Sequence, residues 1–235
     1  MRIRNIIIPA ATILLAASCV DDETQDVSVY GALATSHVSG ESDYTFTLDN
    51  GKSMTTDSYV NPNIVGDNDR VYLTYIINDK PVDGYDYNVT LQTIDTVLTL
   101  PSTIYPAAIP DSIGGDALGI NDGYLSDRYL NVNVAMPGQY SGHSLYLVKS
   151  ATTPDDDGEL LDVELRHKLD GDSYGYWSML VCFDITRFRE AYPGRKGLRV
   201  KFRDHNAGGA DTSIEYRYGS ATDAAKAGRW GGNAD

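Results

Sequence analysis

An acidic segment in the second half of the chain is the best candidate for metal chemistry. Residues 153–158 read TPDDDG, and Glu164 follows six positions after the glycine. This order partly matches a calcium-binding loop, in which side-chain oxygens alternate and a glycine allows a sharp turn. The match is poor, because Thr153 stands where an aspartate is expected and Pro154 stiffens the entry to the loop. We therefore interpret the segment as an acidic surface turn and predict no metal site.

The sequence carries no other pattern that is typical of an active site. Nucleophile elbows, zinc-protease helices and phosphate-binding loops are absent from it. A glycosidase needs two carboxylates across a cleft, but among 33 acidic residues such pairs arise by chance. The histidines are scattered without the short spacings of zinc ligands, at His37, His143, His167 and His205. We predict that the protein is not an enzyme and holds no cofactor, with an undetected hydrolase as the third alternative.

Tyrosine is the residue type that most favours a binding function. The chain holds 17 tyrosines, and Tyr59, Tyr85 and Tyr87 lie in or beside predicted loops of the first half. Tyrosine offers a large stacking surface at a small cost in side-chain entropy. The alternative is that alternating tyrosines fill half-buried strand positions. We predict that Tyr59, Tyr85 and Tyr87 contact a ligand.

The charge of the chain restricts the class of that ligand. The sequence has 33 Asp and Glu against 19 Lys and Arg, which gives a net charge of −14. Binding to phosphates needs local clusters of Lys and Arg. We therefore predict no nucleic-acid partner, and a glycan, a peptide or another protein remains as the ligand.

Alternating residues predict an all-β chain whose first domain spans residues 27–100. In residues 44–48, Tyr, Phe and Leu alternate with threonines, and the turn residues DNGK follow at 49–52, which indicates a hairpin. Residues 70–78 carry apolar side chains on both faces and predict a central strand. Five strands without helical periodicity between them favour an OB-like five-stranded barrel. A flat meander is the alternative.

The remainder of the chain predicts a second β domain. Prolines and glycines crowd residues 101–126, which we interpret as an interdomain connection that packs in part. Six strand candidates within residues 127–218 predict a C-terminal β-sandwich, with one short helix at 185–191. Residues 219–235 are rich in glycine and alanine and predict a flexible tail.

Residues 1–18 are predicted to be a lipoprotein signal peptide. Arg2 and Arg4 supply its positive start, and an apolar run of 12 residues, 6–17, follows. That run is shorter than the roughly 20 residues that a transmembrane helix needs. The order LAASC at 15–19 resembles the bacterial lipobox, in which cleavage leaves a lipid-modified cysteine, here Cys19. Ordinary cleavage beside an incidental cysteine is the alternative.

Acyl chains on Cys19, such as palmitate, would hold the protein at a membrane that the chain does not span. Residues 19–26 form an acidic tether, which resembles the export tag of surface lipoproteins in Gram-negative anaerobes. We expect a lipid anchor in the outer membrane of a Gram-negative bacterium and a folded body exposed at the cell surface. A periplasm-facing anchor is the alternative.

Sequence blocks in both halves resemble the NigD-like lipoprotein family. They are GDNDRVYLTY at 66–75, GYDYNV at 84–89, VELRH at 163–167, DGD at 170–172 and GLRVK at 197–201. With the lipobox and the acidic tether, the resemblance covers nearly the whole mature chain. It implies an N-terminal OB-like domain and a C-terminal β-sandwich, but no catalytic or binding residues. Because the family is named after a bacteriocin operon, it also implies bacteriocin immunity or an accessory role as the alternative function.

Overall fold

A computed structural model describes residues 28–40, 43–138, 142–171 and 174–219. The predicted signal peptide, Cys19, the acidic tether and residues 220–235 of the predicted tail lie outside the described residues. Within the described ranges, no helix is long and apolar enough to cross a membrane.

The described residues form thirteen strands, one short α-helix and one 3-10 turn. The first five strands are β1 Tyr30–Ser39, β2 Asp43–Leu48, β3 Ser53–Thr56, β4 Arg70–Ile77 and β5 Tyr87–Thr96. The next four are β6 Leu98–Tyr105, β7 Gly119–Leu125, β8 Tyr129–Pro137 and β9 His143–Ser150. The last four are β10 Leu160–Leu169, β11 Tyr176–Asp184, β12 Gly197–Asp204 and β13 Ala210–Arg217. The 3-10 turn is Asp111–Ile113, and α1 is Thr186–Ala191.

Strands β1 to β5 close into a barrel in the order β1-β2-β3-β5-β4. The predicted hairpin is β2–β3, and Gly51 takes a φ of 81° in its turn, a conformation that glycine adopts without steric cost. Alternate residues of each strand point inward, and the largest of these buried side chains are Phe46, Met54 and Leu73. The predicted five-stranded OB-like barrel is confirmed.

Strands β6 to β13 form the larger second unit, in which β6 belongs to two sheets. Its first half, to Pro101, pairs with β11, and its second half, from Ser102, pairs with β9. One sheet is therefore β7-β8-β11-β6, and the other is β6-β9-β10-β12-β13. Side chains of both sheets share one core, including Val132, Val181, Leu147 and Val163. The predicted all-β sandwich is confirmed.

The interpretation of residues 101–126 as an interdomain connection is wrong. The segment contains most of β6, the 3-10 turn and all of β7. Residues that follow the turn pass between β10 and β12, where the backbone N–H of Asp116 bonds to His167 and that of Leu118 bonds to Arg203. A Cβ on Gly114, which has a φ of 85°, would lie 2.6 Å from the His167 carbonyl oxygen. The glycines here serve close packing, so they do not mark a linker.

Candidate functional site

Three tyrosines from different strands meet in a groove on the barrel surface. The groove has a volume of about 170 Å³. Its lining includes Tyr30, Asp49, Asn50, Tyr75, Ile77 and Tyr87. We call it the tyrosine groove. It combines aromatic faces with polar groups at one edge, which is the composition of a small-ligand site.

The groove exists because β1 is longer than β2. The β1–β2 register begins at Ala34 and Leu48, whereas β1 pairs with β4 from Tyr30 onwards. The first residues of β1 therefore have β4 on one side and an open surface on the other. The β2–β3 turn and the start of β5 lie across this opening.

Tyr30 and Tyr75 form the aromatic wall of the groove. They face each other in the β1–β4 register, with ring centroids 5.9 Å apart and ring planes inclined by 27°. Tyr75 is 6 % exposed, whereas Tyr30 is 44 % exposed and Ile77 is 38 % exposed. Burial raises the pKa of Tyr75, so its hydroxyl remains a hydrogen-bond donor even in alkaline solution. One ring is thus held rigidly by the barrel, and its neighbours offer open apolar surface.

Tyr87 closes the opposite side of the groove beneath a cation. The Lys52 ammonium lies 5.0 Å from the centre of the Tyr87 ring, within the range of a cation–π contact. The Tyr87 side chain also raises the pKa of Lys52. The site therefore carries a positive charge at its rim in a protein that is acidic overall.

The inner end of the groove is a buried polar cluster that joins the two domains. The Asp49 carboxylate accepts two hydrogen bonds of 2.8 Å from the Arg70 guanidinium. It also accepts one of 2.7 Å from the Tyr124 hydroxyl and one of 3.0 Å from the Asn131 amide. Arg70 lies over the Tyr129 ring at 4.2 Å. We call Asp49, Arg70, Tyr124, Asn131 and Tyr129 the interdomain clamp.

Electrostatics within the clamp fix its charge state. Burial alone would lower the pKa of Arg70, but the Asp49 carboxylate outweighs it and raises that pKa. Burial, and then Asp49, raise the pKa of Tyr124. The neighbouring Cys182 thiol donates to Asn131 at 2.9 Å, and burial raises the pKa of Cys182 to about 11. The clamp thus holds one ion pair and neutral donors around it, which suits a structural role.

The acidic segment of the sandwich is neutralised by the protein itself. The Asp155 carboxylate contacts Lys149 at 2.8 Å and Arg195 at 2.6 Å. The Asp157 carboxylate contacts Arg199, and two backbone N–H groups also donate to it. Among the described residues, no group of three His, Cys, Asp or Glu side chains is arranged to hold a metal ion. The segment is a turn whose carboxylates are held in ion pairs by neighbouring basic side chains.

A larger and more polar groove of about 740 Å³ lies where β10 and β12 separate. Its charged side chains are largely engaged within the protein. Arg166 contacts Glu164 at 2.6 Å, and Lys201 contacts Asp162 at 2.8 Å. Arg203 donates to two backbone carbonyls. Because these groups already have partners, the tyrosine groove is the better candidate for ligand binding.

Comparison with family models agrees with this two-domain architecture. Residues 35–97 match the NigD-like N-terminal OB domain, and residues 101–216 match the NigD-like C-terminal beta sandwich domain. The chain belongs to the NigD-like family. Neither match indicates an enzyme family, and a search among curated proteins found no match.

Solved structures with the same fold include three proteins from Bacteroides species. A protein of unknown function from Bacteroides vulgatus is 22 % identical, with a TM-score of 0.71 over 83 % of this chain and 94 % of that one. A proposed lipoprotein of Bacteroides fragilis is 11 % identical, with a TM-score of 0.64 over 83 % and 100 %. A NigD-like immunity protein of Bacteroides caccae is 16 % identical, with a TM-score of 0.53 over 82 % and 97 %. At these identities, the likeness concerns the fold.

The three predicted ligand residues occupy different places in this NigD-like chain. Tyr87 lines the tyrosine groove, and Tyr85 precedes it in the β4–β5 loop at 38 % exposure. Tyr59 lies in the β3–β4 connection at 80 % exposure and does not line the groove. Tyr30 and Tyr75 do not stand out in the sequence as ligand residues, because the β1–β4 pairing that brings them together is a tertiary contact.

Proposed function

We propose that this NigD-like protein is a non-enzymatic, lipid-anchored binding protein whose barrel holds its ligand in the tyrosine groove. The observation that carries the proposal is the convergence of Tyr30, Tyr75 and Tyr87 on one groove. Tyrosine rings supply flat stacking area together with a hydroxyl that forms hydrogen bonds. The wall is rigid because Tyr75 is held in the barrel core. Little conformational entropy is therefore lost when a ligand stacks on it.

The size of the groove limits what enters it. A volume of about 170 Å³ accommodates one sugar ring or one large side chain, below the span of most drug-sized ligand pockets. The ligand is thus the end or a protruding unit of a glycan, a peptide or a protein. Lys52 and Asn50 at the rim favour a unit that carries hydroxyl or carbonyl oxygens.

The proposed location at a membrane rests on the predicted signal peptide and on Cys19. The described chain starts at Ser28, nine residues after Cys19, so the tether spans at most about 30 Å at roughly 3.5 Å per residue. The Bacteroides fragilis protein with this fold is a proposed lipoprotein, which supports the same location for this chain. In membrane fractions of the native host, Cys19→Ala should shift the protein to the soluble fraction, and retention of the variant in the membrane would refute the anchor.

Bacteriocin immunity is the second candidate function. The Bacteroides caccae protein with this fold is a NigD-like immunity protein, and the tyrosine groove could hold a protruding side chain of a toxin. A killing assay separates the two functions. An immunity protein protects sensitive cells from a toxin encoded beside it, whereas a glycan- or peptide-binding protein leaves their survival unchanged.

The binding proposal is tested with a soluble form, residues 20–235, on a glycan array and a panel of peptides. We expect wild type and Tyr59→Ala to bind the same members, because Tyr59 does not line the groove. Tyr87→Ala and Tyr30→Ala should lose that binding while their unfolding midpoints stay close to wild type. Equal binding by all four proteins would contradict the proposal.

A further inference from the structure

Among the strands that the structure describes, the last strand of the sandwich lies at a free edge. Strand β13 ends the larger sheet, and no described strand lies beyond it. It pairs with β12 in unbroken register over its full length, from Ala210 to Arg217. The edge strand of the facing sheet, β7, has a register shift between Ile120 and Asp122. Bulges, prolines and charged side chains, above all lysines, protect sheet edges from pairing with another chain. Strand β13 has no bulge, proline or lysine, and its charged residues are Asp211, Glu215 and Arg217.

The outward face of β13 carries an ordered charge pattern. Asp211, Ser213, Glu215 and Arg217 alternate with the inward residues Thr212, Ile214 and Tyr216. The two ends of the strand thus present opposite charges, with Asp211 near its start and Arg217 at its end.

The two end charges differ in the partners that they have within the chain. Among the described residues, Asp211 forms no ion pair: Arg203 lies opposite it on β12 but donates to the Gly209 and Gly115 carbonyls. Arg217 contacts Glu159 at 3.0 Å and Glu215 at 3.5 Å, yet its side chain remains 47 % exposed. The guanidinium has five N–H donors, so it can accept a further carboxylate without losing these contacts.

We propose that two copies of the chain pair through their β13 strands in antiparallel orientation about Ile214. In this register, Asp211 of each copy lies opposite Arg217 of the other, and Ser213 lies opposite Glu215. Antiparallel strands present directly opposed residues on the same face, where opposite charges attract. The interface is self-complementary, as a two-fold dimer requires. The larger sheets of the two copies join into one continuous sheet.

Neighbouring registers are disfavoured by charge. Because side chains alternate with a period of two, an allowed slip moves the pairing by two residues. A slip in one direction places Asp211 of each copy opposite Glu215 of the other. A slip in the other direction places Glu215 of one copy opposite Glu215 of the other. Directly opposed like charges are destabilising. The register about Ile214 is the one that pairs both charged ends with opposite charges.

Charge-reversal variants test the proposal. The measurement is the sedimentation velocity of residues 20–235, wild type and variants, over a dilution series. Salt of about 0.15 M screens the long-range repulsion between two acidic bodies to a Debye length of about 8 Å. Wild type should sediment as a concentration-dependent dimer. Asp211→Arg and Arg217→Glu should each sediment as monomers, because each variant opposes like charges at both ends of the interface.

An equimolar mixture of the two variants should regain the dimer. In the mixed pair, the arginine introduced at position 211 of one chain meets the glutamate introduced at position 217 of the other, and the two unchanged end residues meet each other. Recovery on mixing also shows that both variants are folded. A monomeric wild type at every concentration would overturn the proposal. Variants that stay monomeric when mixed, or that dimerise alone as well as wild type does, would overturn it too.

The register has a separate test by cysteine cross-linking. In the proposed dimer, residues 213 and 215 of opposite copies are adjacent, within the Cα distances that a disulfide spans. Ser213→Cys mixed with Glu215→Cys should give a disulfide-linked pair under mild oxidation, whereas either variant alone should not. The remaining thiol of this chain, Cys182, is buried. Equal cross-linking of the single variants would contradict the register.

Discussion

Asp49 and Arg70 form two parallel hydrogen bonds, each 2.8 Å long, at the junction of the two domains. Arg70 is the first residue of β4, and Asp49 follows the last residue of β2. The Tyr124 hydroxyl of the sandwich donates to the same carboxylate. Because Asp49 also lines the tyrosine groove, the position of the sandwich supports one wall of the candidate binding site.

Removal of one charge from the interdomain clamp should destabilise the protein strongly. Arg70→Met leaves the Asp49 carboxylate buried without its cation, a change that costs about 3–5 kcal/mol. Urea unfolding should show this loss in the free energy of unfolding. The matched control is Lys168→Met, since the Lys168–Asp170 pair is 41 % and 59 % exposed and should contribute about 0–1 kcal/mol. An equal loss in both variants would contradict the account of the clamp.

Gly114 should not tolerate a side chain. Its φ is 85°, and a Cβ would lie 2.6 Å from the His167 carbonyl oxygen and from Lys168. Gly114→Ala should therefore lower the free energy of unfolding by at least about 1–3 kcal/mol, the cost of holding a residue with a Cβ in this backbone conformation. Gly158→Ala is the control, because nothing lies within 4 Å of its added Cβ. The packing of this segment would be refuted if the two variants unfolded at the same urea concentration.

Local sequence patterns were sufficient for the barrel. Its β2–β3 hairpin is set by alternation around the turn at Gly51. Strand β4 is apolar on both faces because Leu73 on one face lies in the barrel core, whereas Tyr72 on the other packs against the sandwich. The residues that form these patterns lie close together in the sequence. They therefore predict the strands without knowledge of the tertiary contacts.

Two other features could not be predicted in this way. Strand β6 contains Pro101 and changes sheets near that residue, so its sequence resembles a linker although it is paired on both halves. Tyr30 and Tyr75 are 45 positions apart, and they meet because β1 pairs with β4. Partners that are distant in the sequence decide both features, and the residue pattern alone does not name them.

Acid should weaken the protein through His167 before its carboxylates titrate. His167 is fully buried, and burial lowers its pKa below the usual 6.5. In the unfolded chain, this histidine takes up a proton near pH 6.5, but in the folded chain it stays neutral until a lower pH. Stability is therefore fully present above pH 6.5 and falls as the pH drops towards the folded pKa. The pKa values of Asp162 and Glu159 are lowered, so in the folded protein these carboxylates stay ionised until the pH falls below the ordinary carboxylate range.

Urea unfolding at pH 7.5 and pH 5.5 checks this sign. The free energy of unfolding of wild type should be lower at pH 5.5, and His167→Gln should show a smaller difference between the two pH values. His205→Gln is the control, because His205 is exposed. Wild type that is equally stable at both pH values would exclude His167 as the cause.

Calcium should have no effect on thermal unfolding. The Asp155 and Asp157 carboxylates already contact Lys149, Arg195 and Arg199, so a cation would have to displace these partners. The unfolding midpoint should be the same in millimolar calcium as in a chelator. A midpoint that rises with calcium concentration would show that the segment is a binding loop after all, since ligands of the folded state stabilise it by mass action.

The most direct test of the proposed function locates the ligand on the tyrosines themselves. The chain 20–235 is labelled at its tyrosine rings, the resonances of Tyr30, Tyr59, Tyr75 and Tyr87 are assigned with phenylalanine variants, and a bound member of the glycan or peptide panel is titrated in. A ligand bound in the tyrosine groove should give saturable shifts of the Tyr30, Tyr75 and Tyr87 resonances with one common affinity, while the Tyr59 resonance stays in place. Shifts confined to Tyr59 or to tyrosines of the sandwich would contradict binding in the tyrosine groove.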